Sequence, residues 1–306
     1  MSGNLKNRIE ERLYADYSVA PPFPVKHMNV EISNYCNHNC IFCARNKKEK
    51  TFGLMDEVFY SHIMQEAFYE GVREVGLFIN GEPFTHPKLS VYIRLAKEIG
   101  YHYVYLTTNG SLATPENLRK SVDAGLDSIK FSINAATNES YAKVHGRDDF
   151  EKVIDNLNYA REFRNISGKK YKIFGSFFVT NITEMEAEYF KQHYGYLFDD
   201  LAFYKIRGYG MMQENAKLTT NFTARLKCTL PFNTIAIDYD GSLLVCCQDI
   251  NQRVFIADLS KVSLRQAWYG ENMTNFRKMH IDDNLAGTIC EECLESGGGV
   301  AEVLDI

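Results

Sequence analysis

The segment Cys36-Asn37-His38-Asn39-Cys40-Ile41-Phe42-Cys43 decides the interpretation of this chain. It has the spacing C-x3-C-x2-C and follows closely on residues 27–32, a run for which the sequence predicts a β-strand. Three thiolates in one short loop can hold three irons of a cubane cluster and leave the fourth iron without a protein ligand. Because zinc usually takes four ligands in paired C-x2-C sets, the triplet favours an iron–sulfur cluster over zinc.

A second cysteine set lies in the last third of the chain. It has the spacing C-x12-G-x4-C followed by C-x2-C, and its members are Cys228, Cys246, Cys290 and Cys293, with Gly241 between the first two. Four thiolates complete a metal site and close it. A structural zinc site would use the same four residues, so the cysteines alone leave the choice between zinc and an iron–sulfur cluster open.

Together the two patterns resemble those of radical S-adenosylmethionine (SAM) enzymes. The triplet with an aromatic residue, Phe42, before its last cysteine is similar to their SAM-binding motif, and the second set is similar to their SPASM/Twitch C-terminal extension. The resemblance spans about residues 25–295. It implies three cofactors: SAM, a SAM-binding 4Fe–4S cluster held by Cys36, Cys40 and Cys43, and an auxiliary 4Fe–4S cluster held by the second set.

Composition excludes several other classes of protein. The chain has 306 residues, 45% hydrophobic content, a net charge of −5 and no dense Lys/Arg block, which argues against a nucleic-acid partner. Residues 1–27 have no apolar signal-peptide core, and no stretch approaches the roughly 20 apolar residues that a membrane helix needs. Eight cysteines without an export signal indicate reduced thiols and a cytoplasmic location.

Short β-rich runs alternate with longer amphipathic stretches from residue 26 to residue 207. This alternation predicts an α/β fold with a parallel sheet, a partial (β/α)6 TIM-like barrel. The predicted strands are 27–32, 74–79, 103–107, 128–133, 171–179 and 201–206, and the predicted helices are 57–70, 89–99, 115–124, 150–164 and 184–194. The cysteine triplet would then lie at the C-terminal ends of the strands, where parallel barrels carry their active sites.

The pattern changes after residue 207. Residues 208–218 form a connector, a β-hairpin is predicted over 234–245 around Asp240-Gly241, and a helix or helix pair over 263–280. We therefore expect an N-terminal extension (1–25), the barrel (26–207) and a small SPASM/Twitch-type domain of hairpin plus helix (208–306). The domain is too small to bury a convincing core alone, and a four-thiolate cluster would offset that deficit.

Polar residues at successive strand ends are candidates for binding SAM. Asn80-Gly81-Glu82-Pro83 follows the second predicted strand and is similar to the family's Gly-Gly-Glu-Pro segment, which contacts the SAM amino group, with Asn80 in place of the first glycine. The resemblance adds further candidates at later strand ends and in the loop after the fourth strand. The full set is Phe42, Gly81, Glu82, Thr108, Ser132, Asn134 and Arg147.

Cys247 belongs to neither cysteine set. A free cysteine is most often a small buried apolar side chain, but its weak S–H bond can also return a hydrogen atom to a carbon radical, as in some epimerases of the resembled family. The resemblance implies a 5′-deoxyadenosyl radical that removes a hydrogen atom from a substrate C–H bond. The favoured reaction is epimerisation, with Cys247 as the hydrogen-atom donor. The alternative is a dehydrogenase that oxidises a substrate alcohol through the auxiliary cluster.

The substrate is expected to be a polar small molecule, similar to a carbohydrate or an aminocyclitol, because the short N-terminus disfavours peptide recognition. A peptide-modifying maturase and a non-enzymatic zinc- or cluster-stabilised binding module remain alternatives. A low-potential electron donor such as flavodoxin or ferredoxin is implied as a partner. Further candidates for the substrate pocket are His38, His86, Tyr209, Met211, Met212, Glu291 and Glu292.

Overall fold

Six parallel strands lie side by side in chain order in the computed structural model, which describes residues 5, 14–24, 26–47, 51–205, 227–295, 302–304 and 306. They are β1 (Met28–Val30), β2 (Glu74–Gly76), β3 (Tyr103–Thr108), β4 (Ser128–Ser132), β5 (Lys172–Val179) and β6 (Asp200–Lys205). Parallel strands in sequential order with helices between them form a partial (β/α)6 barrel. The predicted fold class is confirmed, and each strand lies within the predicted run or differs from it by one residue at an end.

Helices connect these strands and cover the outer face of the sheet. They are α1 (Glu57–Tyr69), α2 (Leu89–Ile99), α3 (Pro115–Asp123), α4 (Asn138–His145), α5 (Phe150–Ser167) and α6 (Ala187–Tyr194). Side-chain caps mark the first residues of some of these helices. The Asp56 side chain accepts from the Phe59 N–H at the start of α1, and the Thr137 side chain accepts from the Ser140 N–H at the start of α4. The α4 helix was not predicted, because its eight residues include few strong helix formers.

Strand alternation separates two faces. Val104 and Leu106 of β3 and Ile129 and Phe131 of β4 are buried in the main hydrophobic core, against the helices. The alternate residues point to the inner face of the barrel, where polar and aromatic side chains predominate. The inner face is therefore the side on which a polar ligand can be accommodated.

The C-terminal region continues the barrel sheet at both edges. Its strands are β7 (Ile235–Ile237), β8 (Ser242–Leu244), β9 (Ala257–Asp258) and β10 (Glu302–Leu304). β7 pairs parallel with β1, β8 and β9 follow antiparallel, and β10 pairs antiparallel with β6. The predicted hairpin is present, with Gly241 at φ +88° in its turn. It extends the barrel sheet directly, which the sequence did not indicate.

The helices of this region are α7 (Leu230–Asn233), α8 (Leu264–Tyr269), α9 (Glu271–Ile281) and α10 (Ile289–Glu295). The pair α8–α9 confirms the helix pair predicted over 263–280. The short α10 helix was not predicted from the sequence. It carries Cys290 and Cys293 three residues apart, on neighbouring positions of one helix face.

Residues 14–24 lie along the C-terminal region. The Trp268 indole donates to the Pro21 carbonyl (3.3 Å), and the buried Arg277 guanidinium donates to the Val19 carbonyl (3.3 Å). The predicted connector 208–218, the domain boundary at 207 and the candidates Tyr209, Met211 and Met212 lie outside the described residues. Across the described part of the chain, no helix is long and apolar enough to span a bilayer.

Candidate active site

The cysteine triplet lies in the loop after β1, and this loop is tied to the end of α4. The backbone N–H groups of Asn39 and Ile41 donate to the carbonyls of His145 (3.0 Å) and Val144 (2.9 Å). Cys36, Cys40 and Cys43 do not form disulfide bonds. Burial raises the pKa of all three, that of Cys36 to about 11, with Glu82 adding to the effect there. Without a metal they are protonated near neutral pH, and a bound cluster would displace their protons.

N–H donors are directed at Cys36 and Cys43, and a ring nitrogen of His145 faces Cys40. His145 Nδ1 lies 3.3 Å from Cys40 Sγ, and Asn109 Nδ2 lies 3.8 Å from Cys36 Sγ. Backbone N–H groups of His38 and Arg45 lower the pKa of Cys36 and Cys43, respectively. Thiolates that receive such donors are the usual ligands of iron–sulfur clusters, so the residues present fit a three-thiolate cluster.

The segment after β2 is held by a buried carboxylate. Glu31, at the end of β1 and 1% exposed, accepts hydrogen bonds from the backbone N–H groups of Asn80 (2.5 Å) and Gly81 (2.8 Å) through one oxygen. A Cβ at Gly81 would lie 2.0 Å from the Ser33 carbonyl oxygen. Gly81 is therefore required because the backbone of Ser33 and Asn34 leaves no room for a side chain there, whichever ligand the segment binds.

Glu82 joins the ends of β2 and β3. Its carboxylate accepts from the Thr108 hydroxyl (2.8 Å) and the Asn109 backbone N–H (2.8 Å), and burial raises its pKa to about 7. Thr108 Oγ1 in turn accepts from the Gly110 N–H (2.9 Å). Glu82 and Thr108, which were both predicted to contact SAM, are thus hydrogen-bonded to each other. The Thr107 hydroxyl, one residue earlier on the opposite face of β3, is buried without a hydrogen-bond partner in the described structure.

Asn134, after β4, uses its side chain within the protein. Its Oδ1 accepts from the Phe178 backbone N–H (2.8 Å), and its Nδ2 lies 3.3 Å from both Ser132 Oγ and His145 Nε2. Ser132 is half-buried on the inner face of β4. The structure brings these two predicted residues together with His145, which sequence reasoning did not select.

The two remaining predicted SAM contacts flank the cysteine loop. Phe42 packs against Phe178 with ring centroids 5.6 Å apart, and the exposed Arg147 donates from Nε to the Asn37 carbonyl (2.8 Å). Both positions are beside the cysteine triplet. Their roles toward SAM remain predictions.

The second cysteine set is assembled from three places in the fold. Cys228 precedes α7, Cys246 follows β8, and Cys290 and Cys293 lie on α10. Burial raises the pKa of Cys228 to about 12 and also raises that of Cys246 and Cys290, with the neighbouring cysteines adding to each shift. Each of the four thiols thus lies close to at least two of the others.

Cys247 is half-buried directly after Cys246. Its sulfur is close enough to Cys246 and Cys228 to raise the pKa of both. It lies beside the auxiliary ligands without belonging to the four-cysteine spacing.

Other predicted pocket residues have structural contacts. His86 is buried against the Tyr92 ring (centroids 4.5 Å apart) and accepts from the Lys88 N–H, and Glu291 accepts from the Gly287 N–H (2.8 Å) before α10. Glu292 lies 3.9 Å from Arg253. His38 lies within the cysteine loop, where its Nε2 pairs with Asp149 (3.2 Å).

Comparison with known proteins identifies the class. The profile of the Radical SAM superfamily matches residues 30–187, and that of the SPASM iron-sulfur cluster-binding domain matches residues 228–294. The chain belongs to the radical SAM superfamily and carries a SPASM domain. It is a radical SAM enzyme whose cofactors are SAM, a SAM-binding 4Fe–4S cluster and an auxiliary 4Fe–4S cluster.

Individual relatives are more distant. A probable GTP 3′,8-cyclase of Saccharolobus solfataricus is 30% identical over 137 residues, which is 45% of this chain and 44% of that protein. The chain thus spans less than half the length of this curated relative. Two solved structures share the fold. BtrN in complex with AdoMet and 2-DOIA matches with a TM-score of 0.61 and 17% identity, over 92% of this chain and 99% of that one. Streptococcus suis SuiB bound to precursor peptide SuiA matches with a TM-score of 0.67 and 14% identity, over 88% of this chain and 68% of that one.

Proposed function

We propose that this enzyme epimerises a polar small molecule, similar to a carbohydrate or an aminocyclitol, with Cys247 as the hydrogen-atom donor. When bound, SAM and its cluster supply a 5′-deoxyadenosyl radical that removes a hydrogen atom from a substrate C–H bond. Cys36, Cys40 and Cys43 hold that cluster, and the chain's other residues orient the substrate and determine what happens to its radical.

The inner face of the barrel supports a polar substrate. Tyr105 donates to the side-chain oxygen of Asn29 (3.2 Å), and Gly76 allows both side chains to pack closely against the β2 backbone, since a Cβ there would lie 2.6 Å from that oxygen. Ser132 and the Thr107 hydroxyl lie on the same face. Pockets with a few convergent hydroxyl and amide groups suit hydroxylated ligands, because each ligand hydroxyl can find a partner.

The position of Cys247 supports the epimerase, and this is the observation that carries the proposal. The thiol is half-buried and adjacent to Cys246, yet outside both ligand sets. Its S–H bond breaks as a new C–H bond forms on the opposite face of the substrate carbon. The sulfur radical left on Cys247 then takes one electron and one proton, the electron coming from a low-potential donor such as flavodoxin or ferredoxin and the proton from solvent.

Dehydrogenation is the second candidate, and the four-thiol set favours it. Cys228, Cys246, Cys290 and Cys293 are close to one another and would supply four ligands to a cluster, which would then have no open iron to bind substrate. In that case a base would take the hydroxyl proton of the substrate radical, and the cluster held by these cysteines would supply the electron acceptor. Cys247 would then be only a small packing residue.

Substrate turnover in D2O separates the two reactions. Sugars, aminocyclitols and aminoglycosides are first screened for stimulated release of 5′-deoxyadenosine. We expect the product of an active compound to gain one deuterium at the inverted carbon, because the Cys247 thiol exchanges its proton with solvent. A product two mass units lighter, without deuterium, would identify a dehydrogenase.

The adjacent cysteines offer a matched pair of variants. Cys247→Ser should release 5′-deoxyadenosine but form no epimer, because an O–H bond is too strong to give its hydrogen to a carbon radical. Cys246→Ser should instead lose auxiliary iron. Full epimerase activity in Cys247→Ser would overturn the donor role while leaving the class of enzyme unaffected.

A further inference from the structure

His145, the last residue of α4, is buried between the cysteine loop and the end of β4. It is 1% exposed, and its two ring nitrogens face different partners: Nδ1 lies 3.3 Å from Cys40 Sγ, and Nε2 lies 3.3 Å from the Asn134 backbone nitrogen. The imidazole thus connects Cys40 to the Asn134 backbone, which is 94 residues away in sequence.

The partners of Nε2 determine where the ring proton is. The Asn134 backbone N–H can only donate, so Nε2 must accept. The Asn134 side chain gives the same answer independently: its Oδ1 is held by the Phe178 N–H (2.8 Å), which turns the Nδ2 donor toward Nε2. With Nε2 unprotonated, the single proton of the neutral ring is on Nδ1 and points at Cys40 Sγ.

The ring is also held in orientation. It stacks on Tyr141 with centroids 4.1 Å apart and planes 16° from parallel, and the His38 ring meets it edge-on at 5.4 Å. His38 is itself fixed by Asp149 (3.2 Å). A donor fixed in this way needs no reorganisation when the charge on the sulfur changes.

We propose that His145 is a positioning residue that raises the reduction potential of the SAM-binding cluster by donating its Nδ1–H hydrogen bond to the Cys40 thiolate. Reduction adds negative charge that the cluster shares with its sulfurs, so an N–H donor stabilises the reduced state more than the oxidised one. Asn134 supports this role by fixing the tautomer. The inference depends on the cluster and not on the substrate or on Cys247.

The test is a redox titration of the fully loaded, full-length protein, followed by electron paramagnetic resonance. The signal that changes when SAM is added reports the cluster with the open iron. His145→Phe keeps a ring to stack on Tyr141 but removes the donor. One charge-assisted hydrogen bond is worth roughly a tenfold change in the reduction equilibrium, so we expect the potential to fall by about 59 mV for this one-electron couple.

His145→Asn and His145→Gln form the matched pair. The asparagine amide overlies Nδ1 and can still donate to Cys40 Sγ, whereas the glutamine amide overlies Nε2. Asn should keep the potential near that of the wild type, and Gln should lower it as Phe does. A wild-type potential in His145→Phe would overturn the proposal. If His145→Phe does not bind iron, the comparison of the other two variants decides alone, and equal potentials in His145→Asn and His145→Gln would overturn the proposal.

Discussion

The two cysteine regions differ in how the fold assembles them. The N-terminal triplet is contained in eight consecutive residues of one loop, and donors from other elements, His145 and Asn109, are added to it. The C-terminal four lie before α7, after β8 and on α10, across 66 residues of sequence from Cys228 to Cys293. The first site is encoded locally and adjusted by the fold, whereas the second exists only if the fold holds its parts together.

Removing each set of ligands should produce the largest difference. Replacing Cys36, Cys40 and Cys43 with Ala should abolish release of 5′-deoxyadenosine and remove about half of roughly eight irons. Replacing Cys228, Cys246, Cys290 and Cys293 should remove the other half and lower the thermal stability of the C-terminal region, because the cluster joins three separate elements. Iron analysis measures the loss of each cluster, and limited proteolysis at increasing temperature measures the stability of the C-terminal region. Deoxyadenosine release by the triple variant would contradict the assignment of the open cluster.

Arg277 should be the most sensitive residue of the C-terminal region outside the cysteines. Its buried guanidinium donates to the carbonyls of Val19 (3.3 Å), Pro231 (2.9 Å) and Trp268 (2.8 Å) and packs over the Trp268 ring at 4.0 Å. Arg277→Ala leaves three carbonyls without donors and should lower the free energy of unfolding by about 3 kcal/mol.

The control for this prediction is Arg265→Ala. That side chain is 59% exposed and pairs with Glu70 at the surface, so its removal should cost less than about 1 kcal/mol. Chemical denaturation of both variants gives the comparison. Equal losses would show that the buried guanidinium does not hold residues 14–24 and α7 to α8 and α9.

A smaller effect is expected near the N-terminal loop, at Gly81. An added Cβ would lie 2.0 Å from the Ser33 carbonyl oxygen, so Gly81→Ala should displace the segment after β2, weaken SAM binding and cost about 1–3 kcal/mol of stability. Gly195→Ala is the matched control, since Gly195 has helical dihedral angles and its nearest neighbour is 3.9 Å away. SAM affinity measured by equilibrium dialysis should fall in the first variant and remain unchanged in the second.

The smallest effect concerns Asn109. Its Nδ2 is 3.8 Å from Cys36 Sγ, longer than the contact of His145 with Cys40, and it also donates to Asn37 Oδ1 at 2.9 Å. Asn109→Ala should therefore lower the potential of the SAM-binding cluster in the same direction as His145→Phe but by less. A larger shift in Asn109→Ala would show that the contact to Cys36 is the dominant donor.

These differences explain what the sequence could predict. Spacing selected the seven cysteines that we propose as cluster ligands, and hydrophobic alternation predicted the six barrel strands, because both signals lie within short windows. Glu31, Asn109 and His145 were not found, since each acts on residues 49 to 105 positions away through contacts that no local pattern records. Likewise, the parallel pairing of β7 with β1 depends on two distant segments meeting in the folded chain.

The central claim, one open cluster and one closed cluster, is tested most directly by Mössbauer spectroscopy of the iron-57-loaded protein with and without SAM. The account predicts about eight irons in two cubanes, with one iron site of the eight changing its spectrum when SAM binds and the irons of the C-terminal cluster unchanged. About four irons together with one equivalent of zinc, or a spectrum that SAM leaves unaltered, would contradict it.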